Sequence, residues 1–240
     1  MKKTAIVALL GSISLPASAD FLGFTVGVDN WNQSFEGYVQ DGPDKVDMED
    51  DLGYDDETGN SIYAHFEHPL PLLPNIRVQR SDIEVSGAAE GSFTFEGNAY
   101  VVNTNSNLDL SHTDATLYYE ILDNVVSLDL GLTVRDFDGG FDVTDGTQKA
   151  ELDINAAVPL LYGAVSVALP FTGLSVGGHI NILGINDTSL SDTRASIKWE
   201  SALGLGVEAG LRRMELTHDD DEEEVDLSIE GAFIGAFYHF

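Results

Sequence analysis

Apolar positions along this chain recur at every second residue rather than at helical spacing. Val126, Leu128, Leu130, Leu132 and Val134 alternate with Ser127, Asp129, Gly131, Thr133 and Arg135. The same two-residue period runs through Leu22–Val28, Ala115–Ile121, Ala195–Trp199 and Leu203–Leu211. Each such segment predicts a strand with one apolar and one polar face. Ten strands are expected, near 21–31, 58–68, 74–85, 106–121, 124–135, 148–168, 173–186, 192–200, 203–216 and 226–240. From Asn155 to Asn186 the chain has no Asp, Glu, Lys or Arg. That is long enough for a membrane helix, but Pro159, Pro170 and five glycines oppose one and suit a hairpin turning at Pro170-Phe171-Thr172-Gly173.

A soluble sandwich also alternates, so the connections decide the fold class. Those after even-numbered strands are short: 69–73, Leu122-Asp123, 169–172 and Ser201-Ala202. The others, 32–57, 86–105, 136–147, 187–191 and 217–225, are longer and acidic. Short turns on one side and long loops on the other predict a closed antiparallel transmembrane β-barrel of ten strands, with eight as the alternative. Closure pairs every backbone N–H and C=O, which lipid demands, and leaves no sheet edge. Two irregularities stand against a uniform pattern. Glu230 shares the parity of the apolar face of strand ten, with Leu227 and Ile229 on the other, so a bulge near Gly231 is expected to restore register. Strand six is similarly out of step around Pro159.

The first residues read as a secretory signal: Lys2 and Lys3, an apolar run from Ala5, and Ala17-Ser18-Ala19 as the cleavage site. Residues 1–19 are thus expected to be removed, leaving 20–240 as a monomeric barrel in the cell outer membrane. The chain has no cysteine, so no disulfide staples it. Its formal net charge is -30, which excludes nucleic acid as a partner because polyanion binding needs a basic surface. Ala232, Ile234, Ala236, Tyr238 and Phe240 fall on one face of a last strand ending in phenylalanine, and Tyr238 and Phe240 are read as an assembly signal for the outer-membrane assembly machinery. Phe21, Phe66, Tyr119, Phe171, Trp199, Tyr238 and Phe240 lie near the short-turn ends as an interfacial girdle against outer-membrane lipid and lipopolysaccharide.

Three segments carry a family likeness: His68-Pro69-Leu70-Pro71-Leu72-Leu73-Pro74-Asn75-Ile76, Asp114 through Tyr118-Tyr119-Glu120-Ile121-Leu122-Asp123, and Leu169-Pro170-Phe171-Thr172-Gly173-Leu174. On these the mature chain resembles a family of small, uncharacterised Gram-negative outer-membrane β-barrel proteins. The resemblance implies the barrel fold and its location, and brings no activity and no catalytic residue.

The polar face assigned to the lumen carries Glu67, Arg77, Asp114, Glu120, Asp129, Arg135, Arg194, Lys198, Glu200, Glu208 and Arg212, together with Lys149, Glu151 and Asp153. A narrow barrel cannot leave such charges unpaired. They are read as a salt-bridged plug, with a narrow charge-lined channel for small solutes as the alternative. Asp50, Asp51, Asp55, Asp56 in one outer loop and Asp219, Asp220, Asp221, Glu222, Glu223, Glu224 in another are oxygen ligands of the kind that suit Ca²⁺ or Mg²⁺. They lack EF-hand spacing, so weak, diffuse binding is expected and no cofactor is called for. His112 with Ser111 and Asp114, or His218 beside Asp219, could imitate a catalytic rim, but no tight motif accompanies them. Gly204, Gly206 and Gly210 imitate a nucleotide loop, yet no helix follows; they are read as small residues on the inner face. His65 and His179 are read as inward-facing.

Overall fold

The computed structural model describes residues 22–89, 91–95, 97–101, 104–147, 149–220 and 223–240. Residues 1–19, expected from the sequence to be a leader, lie outside them with Asp20 and Phe21, as do Asp221 and Glu222. Among the described residues fifteen strands follow in order: β1 Gly23–Asp41, β2 Asp44–Asp47, β3 Glu57–Glu67, β4 Asn75–Ser81, β5 Glu84–Ala88, β6 Phe93–Phe95, β7 Asn98–Tyr100, β8 Asn105–Asp109, β9 His112–Asp123, β10 Val126–Thr144, β11 Lys149–Leu169, β12 Leu174–Ile185, β13 Thr188–Glu200, β14 Leu205–Asp219 and β15 Glu223–His239. Ten of them close a ring, β1-β3-β4-β9-β10-β11-β12-β13-β14-β15, and β15 returns to pair antiparallel with β1. The barrel therefore has ten strands. Among the described residues no helix is long and apolar enough to cross a membrane, and 155–186 forms the β11–β12 hairpin. Its turn carries Phe171 at φ 66° and Gly173 at φ 71°. A Cβ on Gly173 would sit 2.3 Å from the Glu200 carbonyl oxygen, so only glycine fits there.

The short connections fall where the pattern predicts, but most of the long ones are not loops. β1 runs on to Asp41 and β10 to Thr144, while β14 and β15 stay paired to Asp219 and Glu224. Only Asn186 and Asp187 separate β12 from β13. Two barrel strands continue outward as separate pieces: β5 pairs with β8 above the β4–β9 pair, and β8 pairs with the outer end of β10. The barrel walls thus project well beyond one end of the apolar band.

The reason lies in a change of polarity partway along each strand. On β10 the outward residues Leu130, Leu132 and Val134 are exposed. They are followed on the same face by Asp136 and Asp138, whereas the inward face passes from Arg135 to Phe137, Phe141 and the buried Val143. On β14 the inward face passes from Arg212 to Met214 and Leu216, and on β15 from Gly231 to Ile229 and Leu227. A spanning stretch is apolar outside and polar inside; a projecting stretch in water must be the reverse. This accounts for both sequence irregularities. No bulge occurs near Gly231: β15 holds one register along β14, and the same offset before and after that residue along β1. Glu230 faces outward toward Arg213 at 3.5 Å, and Leu227 and Ile229 are buried inside. Lys149, Glu151 and Asp153 are likewise outside and exposed, not in the lumen. Lys149 and Glu151 pair with each other there. The register shift that does occur is between β9 and β10, at Leu128/Asp129.

Candidate functional site: the filled lumen

Three layers stack along the interior. At the short-turn end is a polar vestibule of about 360 Å³ lined by residues that include Glu67, Glu120, Asp129, Tyr118, Tyr162 and Lys198. Glu67 accepts from the Tyr118 hydroxyl at 2.6 Å. Glu120 is exposed at the opening, and Glu200 lies 3.4 Å from His239 Nδ1. Large aromatics fit this narrow interior because inner-face glycines make room for them. A Cβ on Gly27 would fall 2.3 Å from Tyr63 Cζ, and one on Gly206 would fall 2.1 Å from Phe237 Cζ. Gly206 and Gly210 therefore serve ring packing, with Phe237 and Phe233 over them; Gly204 sits in the turn before β14 at φ 79°.

Above the vestibule the charges converge. Arg194 donates to Asp29 at 2.8 Å and to Glu208 at 3.2 Å, and Lys198 lies 3.6 Å from Glu208. Tyr63 also donates to Glu208, at 2.8 Å. Arg77 reaches Gln79 at 2.5 Å and His179 Nδ1 at 3.3 Å. One level further out, Arg135 grips Asp114 through Nε and Nη2, both at 2.8 Å. Its Nη2 also donates to Asp192 at 2.6 Å, and Arg212 binds the same carboxylate at 2.7 and 3.0 Å. Charge-assisted bonds with two contacts to one carboxylate are the strongest and most directional of their kind. Arg135, Asp114, Asp192 and Arg212 come from β10, β9, β13 and β14, so the network ties opposite walls across the lumen. Sequence reading missed Asp29 and Asp192 as lumen charges, although both follow the polar parity of their strands.

The outermost layer is apolar. Trp31, Phe35, Met214, Ile229, Leu160 and Leu190 are buried directly above the ion pairs, with Val46, Met48, Leu52, Ile83, Leu108 and Leu110 beyond them. Arg212 stacks over Trp31 with its guanidinium 4.6 Å from the ring centre, and Arg194 over Phe233 at 3.5 Å, so the charged layer meets the apolar one through cation–π contacts. Burial in this layer pushes the Tyr54 phenol up to about 12. At the rim the Glu224 carboxylate that Tyr38 donates to holds that phenol up to about 12 as well.

Most of the rim groups with candidate chemistry are already hydrogen-bonded, His112 Nε2 being buried without a hydrogen-bond partner among the described residues. His112 Nδ1 lies 2.9 Å from the Leu110 carbonyl, which only accepts, so that nitrogen carries the proton. Ser111 Oγ accepts from the Ile83 N–H at 3.1 Å. His218 contacts Thr188 at 2.8 Å and Asp220, rather than Asp219, at 3.2 Å. In the first acidic loop Asp51 accepts from the Asp47 N–H and Asp47 from those of Glu49 and Asp50, which shapes the turn, while Asp50, Asp55 and Asp56 are exposed. Asp219 and Asp220 are exposed on the other. Among the described residues the one triplet able to converge on a metal ion is His112, Asp114 and Asp192. Both carboxylates are already held by guanidinium groups, and a divalent ion would bury further positive charge beside them. At the short-turn end Phe66, Tyr119, Trp199, Phe171 and Phe240 are exposed on the outside. Phe240 donates its N–H to Phe24 and packs edge-on against Tyr238, ring centres 4.4 Å apart.

No family model and no curated protein matches this sequence. Solved structures do match in shape. The outer membrane protease OmpT from Escherichia coli superposes with a TM-score of 0.55 at 8% identity, covering 91% of this chain and 97% of that one. Ail from Yersinia pestis (TM-score 0.36, 12% identity, 91% and 99% covered) and Neisserial surface protein A (0.36, 10%, 90% and 97%) are more remote likenesses. OmpT's likeness and the closed ten-strand sheet agree: the chain has the fold of the Gram-negative outer-membrane β-barrel proteins, with ion pairs buried in its lumen.

Proposed function

We propose that this is a sealed outer-membrane barrel with a structural or interaction role, displaying an acidic rim outside the cell rather than passing solutes. The carrying observation is the Arg135–Asp114–Asp192–Arg212 network, whose side chains are at most 7% exposed. A conducting path needs charges open to water; here the guanidinium groups are spent on protein carboxylates and capped by an apolar layer. The test is single-channel recording from the folded mature chain in a planar bilayer. Silence is expected, whereas reproducible conductance steps altered by Lys198→Glu would make it a narrow channel instead.

The rim is a diffuse cation-attracting surface in this reading. Titration calorimetry with Ca²⁺ or Mg²⁺ should give weak heats without a sharp stoichiometric end point. Absence of any heat would remove the divalent ions from the proposal.

A further inference from the structure

The outer apolar layer is not completely filled. It contains a cavity of about 210 Å³ lined by side chains that include Val46, Met48, Leu52, Leu108, Leu110 and Leu227, with no polar side chain lining it among the described residues. Protein interiors pack with few voids larger than a water molecule, and a space this large is costly to keep empty. Water is a poor occupant, because an ordered water needs two to four polar partners. The lining is shielded from water on most sides: Val46, Met48, Leu52, Leu108, Leu110 and Leu227 are all buried. One side is open. Leu152 points inward by its parity on β11, yet is 54% exposed, and Phe141 and Ile154 beside it are half-buried. The opening is at the projecting end of the barrel, away from the vestibule, and the ion-pair network closes the route beneath it.

We propose that this cavity is a binding site for a small, uncharged hydrocarbon-like molecule taken from outside the cell. An apolar cavity of roughly 150 Å³ accommodates benzene; this one suits an arene with a short alkyl substituent, or a short linear alkyl chain. The lining offers no hydrogen-bond partner to a polar solute and no counter-charge to an ion, so both are rejected by their desolvation cost. Met48 supplies an adaptable wall, since an unbranched thioether can repack around different shapes. The site is independent of whether the lumen conducts, and its test does not read conduction.

Beyond the first residue the chain has two methionines, Met48 at the cavity and Met214 deeper, against Arg135. The mature chain, ¹³C-labelled at its methionine methyls and folded in lipid nanodiscs, would be titrated with toluene and, separately, with n-hexane. The expected result is a saturable shift of the Met48 methyl with Met214 much less affected, and nuclear Overhauser contacts from toluene ring protons to Met48. Val46→Phe and Leu110→Phe, which fill the space, should each abolish saturation. Because a filled variant can misfold, the Overhauser contacts on the unaltered chain provide a second, independent readout. An unmoved Met48, equal unsaturated drift of both methyls, or a response surviving in a folded filled variant overturns the proposal.

Discussion

Asp192 accepts from two guanidinium groups at once, holding Arg135 and Arg212 to a single carboxylate. Asp192→Asn would leave Arg135 and Arg212 buried with one negative charge too few, a situation that costs roughly 3–5 kcal/mol. Denaturant unfolding of the lipid-inserted protein should show that loss as a lower midpoint. The same measurement on Glu230→Gln should show about 0–1 kcal/mol, because Arg213 and Glu230 are about half exposed and water screens them. An Asp192→Asn midpoint no lower than that of Glu230→Gln would mean that the network does not stabilise the fold. Gly206→Ala is a packing test. Its methyl would press on the Phe237 ring, so a loss of about 1–3 kcal/mol is expected from overpacking, with Phe237→Leu in the same chain restoring part of it.

At the scale of strands, the exchange of polarity between the spanning and projecting halves sets how far each strand extends. Tyr54, between β2 and β3, reports on the projecting half. Its phenol is protonated in the folded state up to about 12, against an ordinary 10.0. A raised acid pKa means the folded state holds its proton more tightly. That contribution is therefore complete below about pH 10 and drains away as pH rises toward about 12. Unfolding midpoints compared at about pH 9 and about pH 11 should fall for the native chain and fall less for Tyr54→Phe. Parallel slopes would place Tyr54 in water. The strand pattern itself was legible because lipid and lumen impose a strict two-residue alternation over 126–135 or 203–211. The outer extensions were not: residues 32–41, 136–144 and 217–219 carry acids that read as loop, and Glu36, Asp136, Asp138 and Asp219 among them face water from the outside of a paired wall.

For the whole molecule, the distribution of scarce positive charge is telling. Arg77, Arg135, Arg194 and Arg212 are buried in the lumen together with Asp29, Asp114, Asp192 and Glu208, so these charges cancel and the net charge of -30 falls on the other residues. Such a surface repels other polyanions and draws counter-ions. Which lumen charges meet which was illegible. Arg194 and Asp29 are 165 residues apart, and Arg135 and Asp192 are 57 apart. Only closure of β15 onto β1, and the stagger it imposes, brings them to one level.

The ten spanning segments, the side of the short turns and the inward parity of most of the charged residues were all written in the linear chain. Each of these follows from a local rule: alternation at a sheet between two solvents, and turn chemistry between strands. The pairing of the buried ions, the height at which strand polarity reverses and the apolar chamber above the charged layer emerged only on folding. They depend on residues from distant strands arriving at the same depth, and a linear pattern does not encode depth until the ring is closed.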